Sequence, residues 1–165
     1  MPQTAQQAAE SVFTLFSPTL SPAALEEYGV EATADQRPQI TREILSLNLF
    51  WAHHALLSVL SKVEGERVFD ELCRYVRAAW ETMLGLEQSA LAGYFEEAAE
   101  RRSLYDQIVQ EGGSPIAVFT ETAAMAESDG TIQPEDRQKF LAFLIDLIPV
   151  EAIGETVEGL DLTHK

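Results

Sequence analysis

The chain has a single cysteine and few basic residues. Cys73 is the one cysteine among 165 residues, so no disulfide can form within the chain, which is typical of a reducing compartment. Only 11 lysines and arginines stand against 27 acidic residues, giving a formal net charge of −16. Such a chain repels nucleic acid and anionic membranes. We therefore expect no direct nucleic-acid binding and a preference for basic protein partners or cations.

The familiar catalytic motifs are also missing. The sequence contains no Walker loop, no nucleophile elbow and no glycine-rich dinucleotide motif. Its first residues lack the basic and long apolar regions of a secretory signal, which predicts a cytoplasmic protein. The sequence thus identifies no catalytic residue and predicts no cofactor.

Helical patterning is present along almost the whole chain. Apolar residues recur at steps of three and four, which predicts an all-α, single-domain helical bundle with about six main helices. The predicted central helix covers about residues 38–63, and residues 44–61 carry no charge. A helix that is apolar nearly all round is buried on most sides. Residues 1–37 are predicted to form short helices and a loop, residues 38–149 the core bundle, and residues 150–165 a tail.

The uncharged segment is long enough to be weighed as a membrane span. Polar residues interrupt it, however, at Ser46, Asn48, His53 and His54. Polar groups are costly in hydrocarbon, and the amphipathic remainder of the chain is patterned to cover this segment. We therefore predict a soluble protein without a membrane span.

Small and polar residues mark the predicted helix boundaries. Thr4 begins a capping-box pattern, and Ser21 is predicted to cap the second helix. Gly65 is predicted to break the chain, so that the fourth helix begins near Glu66. The Gly-Gly-Ser-Pro sequence at 112–115 predicts the end of one helix and the capped start of the next.

The turn between the last two major helices has the most motif-like sequence. Set against a calcium-binding loop, residues 125–136 place Glu127 and Asp129 at positions 3 and 5. Gly130 then falls at position 6 and Asp136 at position 12. This spacing makes the four residues candidates for a cation site.

Two features of the same turn favour a helix corner over a calcium loop. Met125 stands at position 1 and cannot bind calcium through its side chain, and position 12 lacks the bidentate glutamate. In a helix corner, Gly130 supplies an unusual backbone angle, Ile132 fills the core and Pro134 begins the next helix.

This turn also resembles a known family. The sequence Ala-Met-Ala-Glu-Ser-Asp-Gly-Thr-Ile-Gln-Pro-Glu-Asp, between two amphipathic helices, resembles the helix–Asp-Gly–helix unit of the TerB-like tellurite-resistance domains. The resemblance covers about residues 116–147. It implies a small acidic helical domain in bacterial stress response or intracellular signalling, and it does not imply a defined enzyme.

His53, His54 and Cys73 are the remaining candidates for chemistry. Adjacent helical positions point about 100° apart, so the two histidines cannot easily share a metal, and neither HxxxH nor ExxH occurs. Cys73 lies on an apolar stripe, where a thiol is unreactive. We favour structural roles for all three. The alternative is an interior ligand or metal site that also includes Trp51 and Trp80; the sequence leaves the metal unknown.

These observations favour a non-enzymatic interaction or regulatory module that binds a basic protein partner or a second copy of itself. Apolar residues in the weakly patterned segments are candidate contacts: Leu20, Tyr28, Ile153 and Val157. A ligand- or metal-binding bundle, or even an enzyme, is the second class of function. Mimicry of nucleic acid by the acidic surface is a third.

Overall fold

The computed structural model describes residues 2–20 and 22–162, and within them the chain is all-helical. The α-helices are α1 (Ala5–Thr14), α2 (Pro22–Glu27), α3 (Gln36–Val59), α4 (Lys62–Ala79), α5 (Gln88–Gln110), α6 (Pro115–Ser128), α7 (Arg137–Leu147) and α8 (Val150–Glu158). Short 3-10 turns cover Ser17–Leu20 and Pro134–Asp136. No strand occurs in the described ranges, where an isolated bridge between Gln3 and Leu162 joins the two ends. The predicted all-α bundle is confirmed.

Helix α3 lies at the centre of the bundle. It contacts α4, α5, α6 and α8, and half of its 24 residues are buried. Residues 44–61 of the chain carry no charge, so the helix has no clear polar face and can be covered from several directions, as the sequence predicts. Neither α3 nor any other helix in the described part of the chain is long and apolar enough to span a membrane.

The boundary between α3 and α4 differs from the sequence prediction. Helix α4 begins at Lys62, after Ser61 caps its first turn, so Gly65 lies inside the helix and does not break the chain before Glu66. A Cβ atom at Gly65 would lie 2.9 Å from Leu57 Cδ2 and 3.2 Å from the Leu56 carbonyl oxygen. Gly65 therefore permits a close approach of the end of α3 to α4.

The C-terminal segment is part of the core. Helix α8 packs on α3 and α1, and both Ile153 and Val157 are fully buried. The two side chains lie one helical turn apart on the same face of α8. Their interpretation as contacts for a partner is therefore wrong. Leu20 and Tyr28 are half-buried, and the Tyr28 hydroxyl donates a hydrogen bond to Asp146 at 2.9 Å.

The helix caps follow the sequence only in part. The Thr4 hydroxyl accepts from the Gln7 N–H at 3.1 Å, and the Gln7 side chain accepts from the Thr4 N–H at 3.0 Å, which confirms the capping box. Ser114 stands at the N-cap position of α6, but its side chain makes no capping hydrogen bond. The predicted cap at Ser21 lies outside the described residues.

Candidate functional site

Arg101 joins α5 to the central helix and to the turn after α6. Its guanidinium donates to Glu43 Oε1 from Nε at 3.2 Å and from Nη2 at 2.8 Å. The same Nη2 lies 3.5 Å from a carboxylate oxygen of Asp129. Helical spacing predicts that Arg101 pairs with Glu97, one turn earlier. The structure instead pairs it with Glu43, 58 residues away in the sequence.

The Glu43 carboxylate is deeply buried. The residue is 6% exposed, and its second carboxylate oxygen has no hydrogen-bond partner among the described residues. Burial raises the pKa of Glu43, and the nearby Arg101 charge opposes this shift without cancelling it. Burial is the largest single influence on Arg101 and acts to lower its pKa, but the Glu43 charge and hydrogen bond, together with the charges of Tyr105 and Glu97, outweigh burial in sum, and the pKa is raised. The pair therefore links two helices at a considerable cost in desolvation.

The acidic residues of the turn motif each face a cation. Glu127 lies 3.3 Å from Arg137, and the buried Asp136 lies 3.5 Å from Lys139. The other Asp136 oxygen accepts from the Glu31 N–H at 2.9 Å. Asp129, the third acid of the motif, faces Arg101 at 3.5 Å. The described side chains contain no group of three or more histidines, cysteines or acids placed to hold a metal ion.

The backbone of this turn has the features of a helix corner. Gly130 has a φ of +73°, a region that residues with a Cβ rarely adopt. Ile132 is 1% exposed and fills the core beside the turn. The Gly130 carbonyl accepts a hydrogen bond from the Gln36 side chain at 3.1 Å, so the corner is attached to the start of α3.

The two histidines have different neighbours. His53 Nε2 lies 3.0 Å from Glu66 Oε1, and its ring meets the Phe69 ring with centroids 4.6 Å apart. The His54 ring instead meets Trp51 edge-on, with centroids 5.8 Å apart. Both histidines are half-buried. Their side chains therefore have separate sets of contacts.

The other interior candidates also lie in separate places. Trp80 is fully buried, and its indole N–H donates to the Glu87 carbonyl at 2.8 Å. Trp51 is 6% exposed, and its indole nitrogen has no hydrogen-bond partner in the described part of the chain. Burial raises the pKa of Cys73 to about 11, so little reactive thiolate exists near neutral pH. Of these candidates, Trp51 and His54 make side-chain contact.

An open groove of about 530 Å³ lies where α6 begins, α7 ends and α8 begins; we call it the α6–α8 groove. Its apolar lining includes the buried side chains of Phe119 and Ile148. Ile116 and Ile145 also line it, and these two are 56% and 42% exposed. Two large aliphatic side chains at the edge of one concave surface are typical of a binding site.

The charged residues that line the α6–α8 groove are all acidic. They are Asp146 at the end of α7 and Glu151 and Glu155 on α8, and no lysine, arginine or histidine among the described residues lines the groove. Sequence reasoning did not find this site, because its apolar residues come from separate helices. The one signal in the sequence that could have indicated this groove is that Ile116 and Ile145 lie beside helix ends and close to acidic residues.

Comparison of the chain with family models, curated proteins and solved structures finds no match in any of the three. The resemblance of residues 116–147 to TerB-like domains therefore stays a prediction. The fold and the site define a class of protein: an all-α bundle with a buried ion pair in its interior and an apolar groove bordered by acidic side chains.

Proposed function

We propose that the protein is a non-enzymatic interaction module that binds a basic segment of a partner protein through its C-terminal acidic surface. This surface is formed by the exposed acids Asp146, Glu151, Glu155, Glu158 and Asp161. The observation that carries the proposal is that residues 140–162 contain these five acids and no lysine, arginine or histidine. On the TerB-like resemblance, the module belongs to bacterial stress response or intracellular signalling.

The positions of the basic residues support this proposal. Most arginines of the described chain already contact an acid or an aromatic ring, and none of these contacts involves the C-terminal acidic surface. The pairs are Arg37–Glu26, Arg74–Glu71, Arg101–Glu43 and Arg137–Glu127, and the ring contacts are Arg77–Phe95 and Arg102–Phe69. The field of the C-terminal acids thus extends into solvent, where it attracts a basic partner.

The proposal is tested by neutralising part of this surface. The variant Glu151→Gln/Glu155→Gln/Glu158→Gln keeps the size of each side chain and removes three charges. Glu81→Gln/Glu96→Gln/Glu100→Gln is a matched control, because its three exposed acids lie elsewhere on the molecule. Wild type and both variants are immobilised, captured proteins are identified by mass spectrometry, and each is purified to measure direct binding by calorimetry.

We expect the wild type and the control to capture a basic partner protein and to bind it in calorimetry. The C-terminal variant should not capture this partner. The partner's affinity should fall steeply between low and physiological salt, because surface charges are screened within about 8–10 Å. Equal capture by all three proteins, or binding that salt does not weaken, would contradict the proposal.

A second function, binding of a ligand or metal within the bundle near His53 and His54, has one observation in its favour. The indole N–H of Trp51 is buried without a partner, and its ring contacts His54. Buried polar groups are normally hydrogen-bonded, so a bound group could satisfy this one. Metal analysis and absorbance of purified wild type and of His54→Ala test this function. A protein without stoichiometric metal or cofactor absorbance would count against it.

A further inference from the structure

We propose that the α6–α8 groove binds one amphipathic, basic helix of the partner protein. The inference rests on the proposed function, since the groove is bordered by part of the C-terminal acidic surface. The apolar face of the bound helix covers Ile116, Phe119, Ile145 and Ile148, and its lysines and arginines lie beside the acidic border.

The apolar lining provides the first part of the argument. Phe119 and Ile148 are only 3% and 5% exposed and form the floor, while Ile116 and Ile145 line the groove with 56% and 42% of their surface exposed. Covering these two isoleucines removes apolar surface from water, which stabilises a complex. A concave apolar surface fits the ridge of an apolar helix face.

The charges of the groove determine the chemistry of the occupant. Asp146, Glu151 and Glu155 border the apolar lining, and within the part of the chain that the structure describes no basic residue lines the groove beside them. Glu151 and Glu155 are four residues apart on α8, so they lie on the same side of that helix. An acidic peptide or an anionic lipid surface is repelled here, whereas lysines and arginines beside an apolar stripe are attracted.

The ends of the surrounding helices favour a helical occupant. The first turns of α6 and α8 both line the groove. Pro115 begins α6 without an N–H, and the Val150 N–H that begins α8 donates to the Ile148 carbonyl at 2.9 Å. Among the described residues, the N-cap side chains at 114 and 149 provide no capping hydrogen bond. The free carbonyls at the C-terminus of a bound helix complement the first-turn N–H groups that remain. Binding of an extended peptide by strand addition would need a strand edge, and the described chain offers none.

The test uses two peptides of identical composition. The first, about 18 residues long, has leucines at helical spacing and lysines on the opposite face. The second is a scrambled version without an apolar face. Fluorescence anisotropy measures the binding of each to the wild type and to Ile116→Ser/Ile145→Ser. The matched control is Val63→Ser/Met83→Ser, which changes two apolar side chains that are 68% and 59% exposed elsewhere. Thermal unfolding checks that every variant is folded.

We expect the amphipathic peptide to bind the wild type roughly tenfold more tightly than the scrambled one, and Ile116→Ser/Ile145→Ser to weaken it by roughly tenfold. The control should change affinity by less than about twofold. Equal binding of the two peptides, or full affinity in Ile116→Ser/Ile145→Ser, would overturn the groove inference and leave the charge-based function standing. If neither peptide binds at low salt, both proposals fail.

Discussion

The carboxylates of this protein fall into two groups with opposite surroundings. Those near the turn after α6 each face a cation: Glu43 and Asp129 face Arg101, and Glu127 and Asp136 face Arg137 and Lys139. Those of the C-terminal acidic surface lie in a stretch without any basic residue. The first group lies in ion pairs, and we propose that the second leaves its charge available to a partner. On that proposal, the net charge of −16 has two roles in one small bundle.

The comparison predicts that a change to each group has a different consequence. Removing Arg101 from the first group leaves the buried Glu43 charge uncompensated, which is expected to destabilise the fold. Removing an acid from the second group is expected to relieve repulsion at the surface and, on the proposed function, to weaken binding. Three variants test this difference, and the expected changes in stability decrease from the first to the third.

Arg101→Met is expected to have the largest effect. It leaves the Glu43 carboxylate, 6% exposed, without the cation it pairs with, and breaking a buried pair in this way costs about 3–5 kcal/mol. Urea unfolding measures the loss. The control is Arg74→Met, because Arg74 is 71% exposed in its pair with Glu71 and should contribute no more than about 1 kcal/mol. If the two variants lose similar amounts of unfolding free energy, the distinction between the buried pair and the surface pair is wrong.

Glu43→Gln is expected to change how stability depends on pH. Burial raises the pKa of Glu43 above its ordinary value of 4.5, so the folded protein holds this proton more tightly than the unfolded chain does. Between 4.5 and the raised pKa, the contribution of Glu43 to stability falls as pH rises, and it is greatest below that range. Glutamine does not titrate, so this part of the pH dependence should disappear.

The measurement is the free energy of unfolding at a series of pH values for the wild type and Glu43→Gln. The difference between the two should change by no more than about 1.4 kcal/mol per pH unit, the limit for one proton. Acids that do not interact with Glu43 have the same effect in both proteins and cancel in the comparison; the charges of Glu97 and Asp129 do act on the Glu43 carboxyl, and both raise its pKa. A constant difference across this range would show that burial does not control the Glu43 proton.

Local patterns predicted much of the fold. The uncharged stretch of α3 indicated the centre of the bundle, and the Asp-Gly turn indicated a corner with Ile132 in the core. These succeed because helix burial and turn geometry depend on neighbouring residues. The prediction at Gly65 was wrong because it too used local sequence alone. Glycine is unfavourable inside a helix, which suggests a helix end, but here a glycine is needed because Leu56 and Leu57 approach the helix closely.

Contacts between distant parts of the chain were not predictable. Arg101 has an acid one turn away at Glu97, so helical spacing gave no reason to look for Glu43 on another helix. The α6–α8 groove likewise needs the ends of three helices to meet. In α8, the spacing of Ile153 and Val157 was a usable signal for a buried face, but the shortness of the segment made it look like a tail.

Glu155→Gln/Glu158→Gln is expected to have the smallest effect on stability, and in the opposite direction. Both acids lie near the C-terminal end of α8, where the helix dipole disfavours negative charge, and Glu155 also repels Glu151. The double variant should therefore gain roughly 0.3–1 kcal/mol in low salt and lose most of this gain in 1 M salt. Glu151→Gln is the control on the same helix: it relieves the same repulsion from Glu155 but loses the favourable position of the Glu151 charge in the first turn, so that variant should gain less than the double variant. If Glu155→Gln/Glu158→Gln unfolds more easily than the wild type, these acids support the fold itself, and the division between structural and partner-binding carboxylates is wrong. If it is more stable yet binds the basic peptide less tightly, the two acids favour binding at the expense of the free protein's stability, as expected of charges that serve a partner.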